Sequence, residues 1–494
     1  MSLSVRSLVG QASLYGAFTL LRRVVSFALT PLYTHYLSPT DFGVLELLSI
    51  AGTFVSILGG FKLDAAFYRF YVAATSNAER QRVLSAAMLT SLVLSTAIVL
   101  PLAVLVTMNP IENNGTLVPV NAVYLVLAAM WLDLATSVPL AYCRATNRVA
   151  FLGTVSTAQA LTTGALAISF LVVLGMDYTG VLWAMLLGTA LTTVCTLAVV
   201  RPSLSSWDVN LAGALLRYGL PMLPASLFMY VLSSSDRYFL ARYASFAELG
   251  VYAVAAKFSL ALQLLVMGPF GEMWATNQFR LYEERNGELY RRVALTYLGT
   301  LFVTALAIAY FSYDFILLAF DERYVGAALL TPLLALGVAI WGIVPTQDLG
   351  CLVTPGKTWI RSVATASGAF VAVAANFALV PRFGTYGAAV AVIASYAMLA
   401  IATAGLNYRL VDMRAPLPQV ASLVAGLALL LLVPYAHDRV PYLPFLGLRC
   451  LVLAGYAVGV LALVHPDRLT QLARRLRVAG AAPLDRDQRI TRVP

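Results

Sequence analysis

The sequence predicts an all-α integral membrane protein of about fourteen transmembrane helices, with twelve as the alternative count. Three observations carry this reading. Of the 494 residues 60% are hydrophobic and 11% are charged, with a mean hydropathy of +0.81, whereas soluble domains run near 25% charged. The apolar runs are each about 20 residues long, the length a helix needs to cross a hydrocarbon core of roughly 30 Å at 1.5 Å per residue. They also lack the strict alternation of apolar and polar positions that barrel strands require.

Taken in order, the first six spans fall near 8–34, 41–61, 83–107, 118–142, 150–174 and 179–200. Eight more follow near 214–240, 247–270, 293–318, 325–350, 358–380, 385–408, 417–435 and 447–465. Pro434, Pro441 and Pro444 crowd the loops of the last two, which is the origin of the count of twelve. Span 7 carries Pro221 and Pro224 and span 10 carries Pro332 and Pro345. Proline removes a backbone hydrogen bond and bends a membrane helix, so these are either flexing points or static kinks.

Orientation follows from Lys and Arg, which accumulate in cytoplasmic loops. With the amino terminus inside, 23 basic residues fall on the inner side and 6 on the outer. Both termini are therefore expected in the cytoplasm. The net charge of +10 reads as topology plus attraction to anionic lipid heads, with no nucleic acid as partner. The first span is long, carries Arg22 and Arg23 and lacks a small-residue cleavage site, so it is read as a retained helix and not a cleaved signal. The tail after His465, with Arg474, Arg475 and Arg477, reads as a basic interfacial segment.

The chain repeats itself. Tyr36 to Leu47 reads YLSPTDFGVLEL and Tyr243 to Val254 reads YASFAELGVYAV, so an offset of 207 pairs Ser38 with Ser245, Asp41 with Glu248, Gly43 with Gly250 and Val44 with Val251. Thr19, Ser26 and Thr30 map by the same offset onto Ser226, Ser233 and Arg237. Both copies follow an odd-numbered span, so the unit is about six helices in one orientation. Parallel repeats of this kind mark transporters whose substrate site lies between the halves near the midplane.

Three spans carry polar stripes. Gln11, Tyr15, Thr19, Arg22, Ser26 and Tyr33 share one face of span 1, and Glu46, Ser49, Thr53, Ser56 and Gly60 one face of span 2. Span 7 offers Ser226, Tyr230, Ser233 and Arg237. Such faces either line a water-filled cavity or pack against one another. Arg22 and Arg23 lie near the middle of their span, where the pair opposes insertion by roughly 5–7 kcal/mol. Snorkelling works near helix ends, and these are not near one. A cavity-facing cationic role is the reading for Arg22 and, one hundred degrees round the helix, a weaker one for Arg23.

Other chemistry is thinly represented. Cys143, Cys195, Cys351 and Cys450 lack CxxC spacing and read as packing residues; His35, His437 and His465 form no HExxH pattern. No metal site and no cofactor are expected. Without a Walker A sequence or a GxGxxG after a strand, the chain is expected to have no ATPase and no enzyme activity of its own. Asp64, Asp133, Asp236 and Glu272 are read as lying at span ends, Asp64 and Glu272 with capping or loop pairing as their role and Asp236 as a partner for a neighbouring basic residue. Glu46, the acid on the stripe of span 2, is the candidate for proton or sodium coupling.

The stretch LSPTDFGVLEL, the LDAAFYRFY at Leu63 to Tyr71 and YVLSSSDRYFLARYASFAELGVYAVAAKF at Tyr230 to Phe258 resemble the bacterial polysaccharide flippases. These belong to the multidrug/oligosaccharidyl-lipid/polysaccharide transporter superfamily, with lipid II flippases and multidrug antiporters as cousins. The resemblance covers at least residues 5–290. It implies two pseudo-symmetric six-helix lobes in a V-shape, residues 1–207 and 208–412, plus two extra helices in 413–466 and a cytoplasmic tail in 467–494. It implies alternating access that moves undecaprenyl-pyrophosphate-linked oligosaccharide from the inner to the outer leaflet of the cytoplasmic membrane. The implied partners are the lipid-linked oligosaccharide and, in the same membrane, a polysaccharide polymerase and chain-length regulator, with the chain itself a monomer.

On that basis the phosphate contacts are expected at Arg22, Arg23 and Lys257, with Arg237 a further candidate. The sugars need hydroxyl and aromatic partners, for which the stripes offer Gln11, Tyr15, Ser26 and Tyr230. Lys257 has an equal reading as a snorkelling or interlobe residue. Three other classes stand beside this one, one of them a purely structural membrane protein, which would not need buried arginines. A cation-coupled drug exporter of the same fold would favour acids in its cavity, and the central Arg pair counts against it. A membrane glycosyltransferase or acyltransferase would need a catalytic acid or His in a large outer loop, and the outer loops are short.

The even span count makes a direct prediction. Reporter fusions at residue 494 and at Asn113 report opposite sides of the membrane, the first cytoplasmic. An active periplasmic reporter at 494 rejects the count.

Overall fold

The computed structural model describes residues 5–113, 115–200, 207–413, 416–431 and 442–464. The first half holds α1 (Val5–Tyr36), α2 (Pro39–Gly60), α3 (Leu63–Ala73), α4 (Asn77–Met108), α5 (Val120–Ala145), α6 (Val149–Ile168) and α7 (Tyr178–Val200). The second holds α8 (Val209–Gly219), α9 (Leu223–Tyr243), α10 (Phe246–Ser259), α11 (Gly268–Glu283), α12 (Gly287–Ala319), α13 (Ala327–Trp341), α14 (Leu349–Val353) and α15 (Trp359–Asn407). Then come α16 (Leu417–Leu430) and α17 (Tyr442–Val464). The strands among the described residues are β1 (Glu112–Asn113) and β2 (Thr116–Leu117), an antiparallel pair.

Eleven stretches among the described residues are long and apolar enough to cross a membrane. Each of the fourteen predicted spans has a helical counterpart, because α15 is two limbs. Gly384 breaks it with φ 54° and ψ −129°. A Cβ at Gly368 of one limb would sit 3.1 Å from the Ser395 carbonyl of the other, so the limbs fold back on each other as a hairpin.

The differences from the expected spans have local causes. The loop expected between spans 2 and 3 contains α3, an amphipathic helix too short to register as a span. Phe61 and Lys62 join it to α2, both left-handed with φ 45° and 54°, a conformation costing roughly 1–2 kcal/mol per non-glycine residue. Span 7 is interrupted by a 3-10 turn at Leu220–Met222 around Pro221, and span 10 by another at Val344–Thr346 around Pro345. Both prolines lack the N–H that would continue the α-ladder. Span 8 loosens into a π-turn at Gln263–Met267 before α11 carries it on to Glu283. The predicted ends at 435 and 465 and the basic tail lie outside the described residues.

The repeated motif is a repeated helix start. Ser38 Oγ accepts from Asp41 N at 3.1 Å while Ser38 N donates to Asp41 Oδ2 at 3.2 Å. Ser245 Oγ likewise accepts from Glu248 N at 3.1 Å, and Ser245 N donates to Glu248 Oε2 at 2.9 Å. These are two capping boxes, each satisfying donors that a helix start would leave orphaned. The glycine two residues further on explains why both copies sit together. A Cβ at Gly43 would overlap the Phe246 carbonyl, and one at Gly250 would overlap the Pro39 carbonyl; each would lie 3.1 Å from the other glycine's nitrogen. Thus α2 and α10 cross backbone to backbone with near two-fold symmetry, as small residues permit in membranes.

Other contacts gather at the same end. Asn113 Nδ2 donates to the carbonyls of Ala241 and, at 2.8 Å, Ala244. Tyr324 Oη donates to Leu37 O at 3.1 Å, and its ring meets Phe42 edge-on at 6.0 Å. One buried apolar cluster therefore runs through both halves there, including Leu37, Phe42, Leu249, Tyr252 and Tyr324. At the other end a Cβ at Gly219 would overlap the Phe61 carbonyl, so α8 rests directly on the left-handed turn. The last helix is fixed by Arg449, only 2% exposed. Its Nη1 lies 2.6 Å from Asp314 Oδ2 and also donates to Tyr310 O, both on α12.

The crossing yields a stability prediction. Gly43→Ala and Gly250→Ala each lose about 1–3 kcal/mol, the range for overpacking a close contact, and melt earlier in detergent than the unaltered protein. Gly213→Ala, where a Cβ meets nothing within 4 Å, does not. Equal melting of all three would contradict the crossing.

Candidate functional site

The helices α1, α2, α6, α7 and α10 surround a cavity of 510 Å³. Span 1 contributes one face of its stripe: Arg22, Ser26, Leu29 and Tyr33 line the cavity, spaced three or four apart. Glu46 and Ser49 enter from α2, and Ser156, Gln159 and Thr163 from one face of α6. Thr189 and Met185 of α7 and Lys257 of α10 complete it. Gln159 Nε2 donates to Thr189 Oγ1 at 3.3 Å, which ties two walls together. Arg22 is exposed to this space, and no ion pair to it occurs among the described residues.

Glu46 is the junction between the halves. Its Oε1 lies 3.3 Å from Arg237 Nε on α9, and its Oε2 lies 3.7 Å from Lys257 Nζ on α10. Arg237 and Glu46 are well covered, with side chains 12% and 14% exposed, whereas Lys257 is 34% exposed. Arg237 Nη1 also donates to Ser233 O at 3.2 Å. The ammonium of Lys257 sits over the Phe42 ring at 4.5 Å, a cation–π contact that holds charge without an anion. Behind Arg237, Asp236 is 5% exposed and its Oδ2 accepts from Tyr252 Oη at 2.6 Å.

A second space of 310 Å³ adjoins the first between α1 and the end of α10, sharing Ser26 and Lys257 with it. Phe27, Thr30, Leu260 and Gln263 of the π-turn line it. It lies between one helix from each half, at the point where span 8 departs from α-geometry. Irregular turns of this type recur at functional positions.

The structure thus gathers Arg22, Ser26, Glu46 and Lys257 around one cavity. Arg237 stands behind Glu46 and is not part of the lining. Tyr230 is turned the other way: its hydroxyl donates to the Ile50 carbonyl and its ring lies 5.7 Å from Phe54, so it packs α9 on α2. The side chains of Gln11, Tyr15 and Arg23 lie outside the described residues. Two acids differ from the expectation that they lie at span ends. Asp236 is buried inside α9, and Asp133 falls in the middle of α5, exposed and without an ion pair among the described residues. The α6 stripe of Ser156, Gln159 and Thr163 escaped the sequence reading, although its three- and four-residue steps are the same signal that marked span 1.

The comparisons with known proteins bear on the fold and the family. A family model described as polysaccharide biosynthesis protein matches residues 8–274. Among solved structures, the lipid II flippase MurJ in its inward-closed conformation is similar with a TM-score of 0.74 at 12% identity, over 92% of this chain and 99% of that one. An inward-facing multidrug resistance MATE family transporter of the MOP superfamily gives 0.56 at 15% identity, over 86% and 96%. A point mutant of the Vibrio cholerae MATE transporter VcmN gives 0.54 at 16% identity, over 82% and 97%. No curated protein sequence matches the chain. At these identities the structural likeness speaks to the fold alone, and it is the family model, covering more than half of the chain, that places it: the chain belongs to the polysaccharide biosynthesis protein family.

Proposed function

We propose that the chain is an alternating-access flippase that moves an anionic, lipid-linked oligosaccharide across the cytoplasmic membrane for surface polysaccharide synthesis. The observation that carries this reading is Arg22, a guanidinium near the middle of a span, open to a polar cavity and free of ion pairs among the described residues. A cation there costs about 2.5–3.5 kcal/mol on the insertion scale, and an anionic ligand recovers that cost. A diphosphate suits the guanidinium fork, which grips two oxygens at once. The hydroxyl and amide groups of Ser26, Ser156, Gln159 and Thr163 suit the sugars.

In this reading residues 1–207 and 208–412 are the two lobes, 413–466 adds two helices and 467–494 forms a cytoplasmic tail. The end closed by the Gly43–Gly250 crossing faces outward, so the cavity loads from within. The lipid tail stays in hydrocarbon through the gap between α1 and α10, while the head enters the cavity. The chain works as a monomer on undecaprenyl-pyrophosphate-linked glycan, beside a polymerase and chain-length regulator, with both termini cytoplasmic.

One observation favours the runner-up, a cation-coupled drug exporter. Asp133 is an exposed acid at mid-span without an ion pair among the described residues, as a cation or proton site requires. Two variants separate the readings. Arg22→Ala abolishes surface polymer, Arg22→Lys retains part of it and Arg22→Glu is the most damaging, since like charge repels the head where water screens poorly. Insertion does not suffer, because losing a central charge eases it. Full export by Arg22→Glu at equal membrane abundance, with dye resistance lost in Asp133→Asn, would transfer the assignment to drug export.

A further inference from the structure

Glu46 belongs to the first half, and both cations it touches belong to the second. Its two oxygens contact different partners, Arg237 Nε at 3.3 Å and Lys257 Nζ at 3.7 Å. That is the arrangement two oxygens of a phosphate group reproduce. We propose that Glu46 is a built-in counter-anion: it occupies the anion position in the empty cavity, and the head group of the substrate must take Lys257 from it. This rests on the reading of an anionic head group and adds a residue that selects among such heads.

The two ends of the bridge differ in the way an exchange requires. Arg237 is the fixed end, at the shorter distance, 12% exposed and held also by Ser233 O. Lys257 is the free end, at the longer distance, 34% exposed and lining both the cavity and the adjoining gap. Phe42 beneath the ammonium keeps it in place while its anion changes. Asp236 lies behind Arg237 and is engaged by Tyr252, so Arg237 keeps a negative neighbour when Glu46 is disturbed. Arg22 shares the cavity with Lys257.

Selectivity follows from charge. A monophosphate offers Lys257 an anion much like the carboxylate it already has, and gains little by the exchange. A diphosphate engages Arg22 and Lys257 together, and only then does displacing Glu46 become favourable. The same exchange removes one of the two ion pairs through which Glu46 ties α2 to the second half, so occupancy loosens the contact between the halves. Glu46 thereby disfavours neutral lipids and monophosphates while admitting a diphosphate head.

The test uses the full chain in detergent with farnesyl diphosphate, farnesyl monophosphate and farnesol as probes, binding being read by calorimetry. Glu46→Gln removes the competitor, so both phosphates bind more tightly, the diphosphate on the order of tenfold, a gain of about 1.4 kcal/mol, and the monophosphate by more, which narrows the preference for diphosphate. Glu46→Asp keeps the charge but draws it back from Lys257, already the longer contact, preserves the fold, and shifts binding in the same direction by less. Diphosphate affinity that is equal or weaker in both folded variants overturns the proposal. If that binding still disappears in Arg22→Ala, the anionic-head reading survives and only the role of Glu46 falls. If the unaltered protein binds farnesyl diphosphate no better than farnesol, both fall together.

Discussion

A formal charge in hydrocarbon is the constraint from which the rest of this architecture follows. Arg22 cannot face lipid near mid-span without opposing insertion of its own helix, so α1 must be paired with helices that offer it a polar, hydrated face. The stripes of α1, α2 and α6 meet that need together, and the space they leave is the cavity. A continuous apolar core there would have been simpler to insert. The cation, and the polar walls that accommodate it, make sense as a place for an anion.

Beside the cavity the two halves of the chain are joined at both ends, at the crossing of α2 and α10 and where α8 meets the Phe61 carbonyl. The junction is built from backbone more than from side chains. Two serine-led capping boxes fix where α2 and α10 begin, and two glycines let those helices cross with carbonyls in contact. Glu46 sits one turn further along α2 than Gly43, so its bridge to Arg237 and Lys257 lies one turn from the crossing.

Much of this was legible in the sequence, because membranes force local regularity. The first twelve spans announced themselves by length and composition, with the gap between the eleventh and twelfth falling at residues 381–384, while prolines blurred the last two. The duplicated motif was visible as a pattern, and its spacing of serine, acid and glycine is itself the capping and crossing chemistry. What escaped depended on partners far apart in the chain. Nothing local tells that Glu46 meets Arg237 and Lys257, or that Tyr230 spends its hydroxyl on the Ile50 carbonyl. Asp133 was placed at a span end although its helix extends a dozen residues on either side. The α6 stripe was overlooked because uncharged polar residues are common in membrane helices for packing reasons.

The account turns on positive charge at one position, and chemical rescue measures that most directly. In a background free of Cys143, Cys195, Cys351 and Cys450, Arg22→Cys is treated in inverted membrane vesicles, whose exposed side is cytoplasmic, with charged thiol reagents of similar size, and export of the lipid-linked glycan into the lumen is measured. The account predicts that the variant exports nothing, that an aminoethyl adduct restores a substantial part of export, and that a sulfonatoethyl adduct restores none. Equal rescue by both adducts, or full export by the untreated variant, would contradict it.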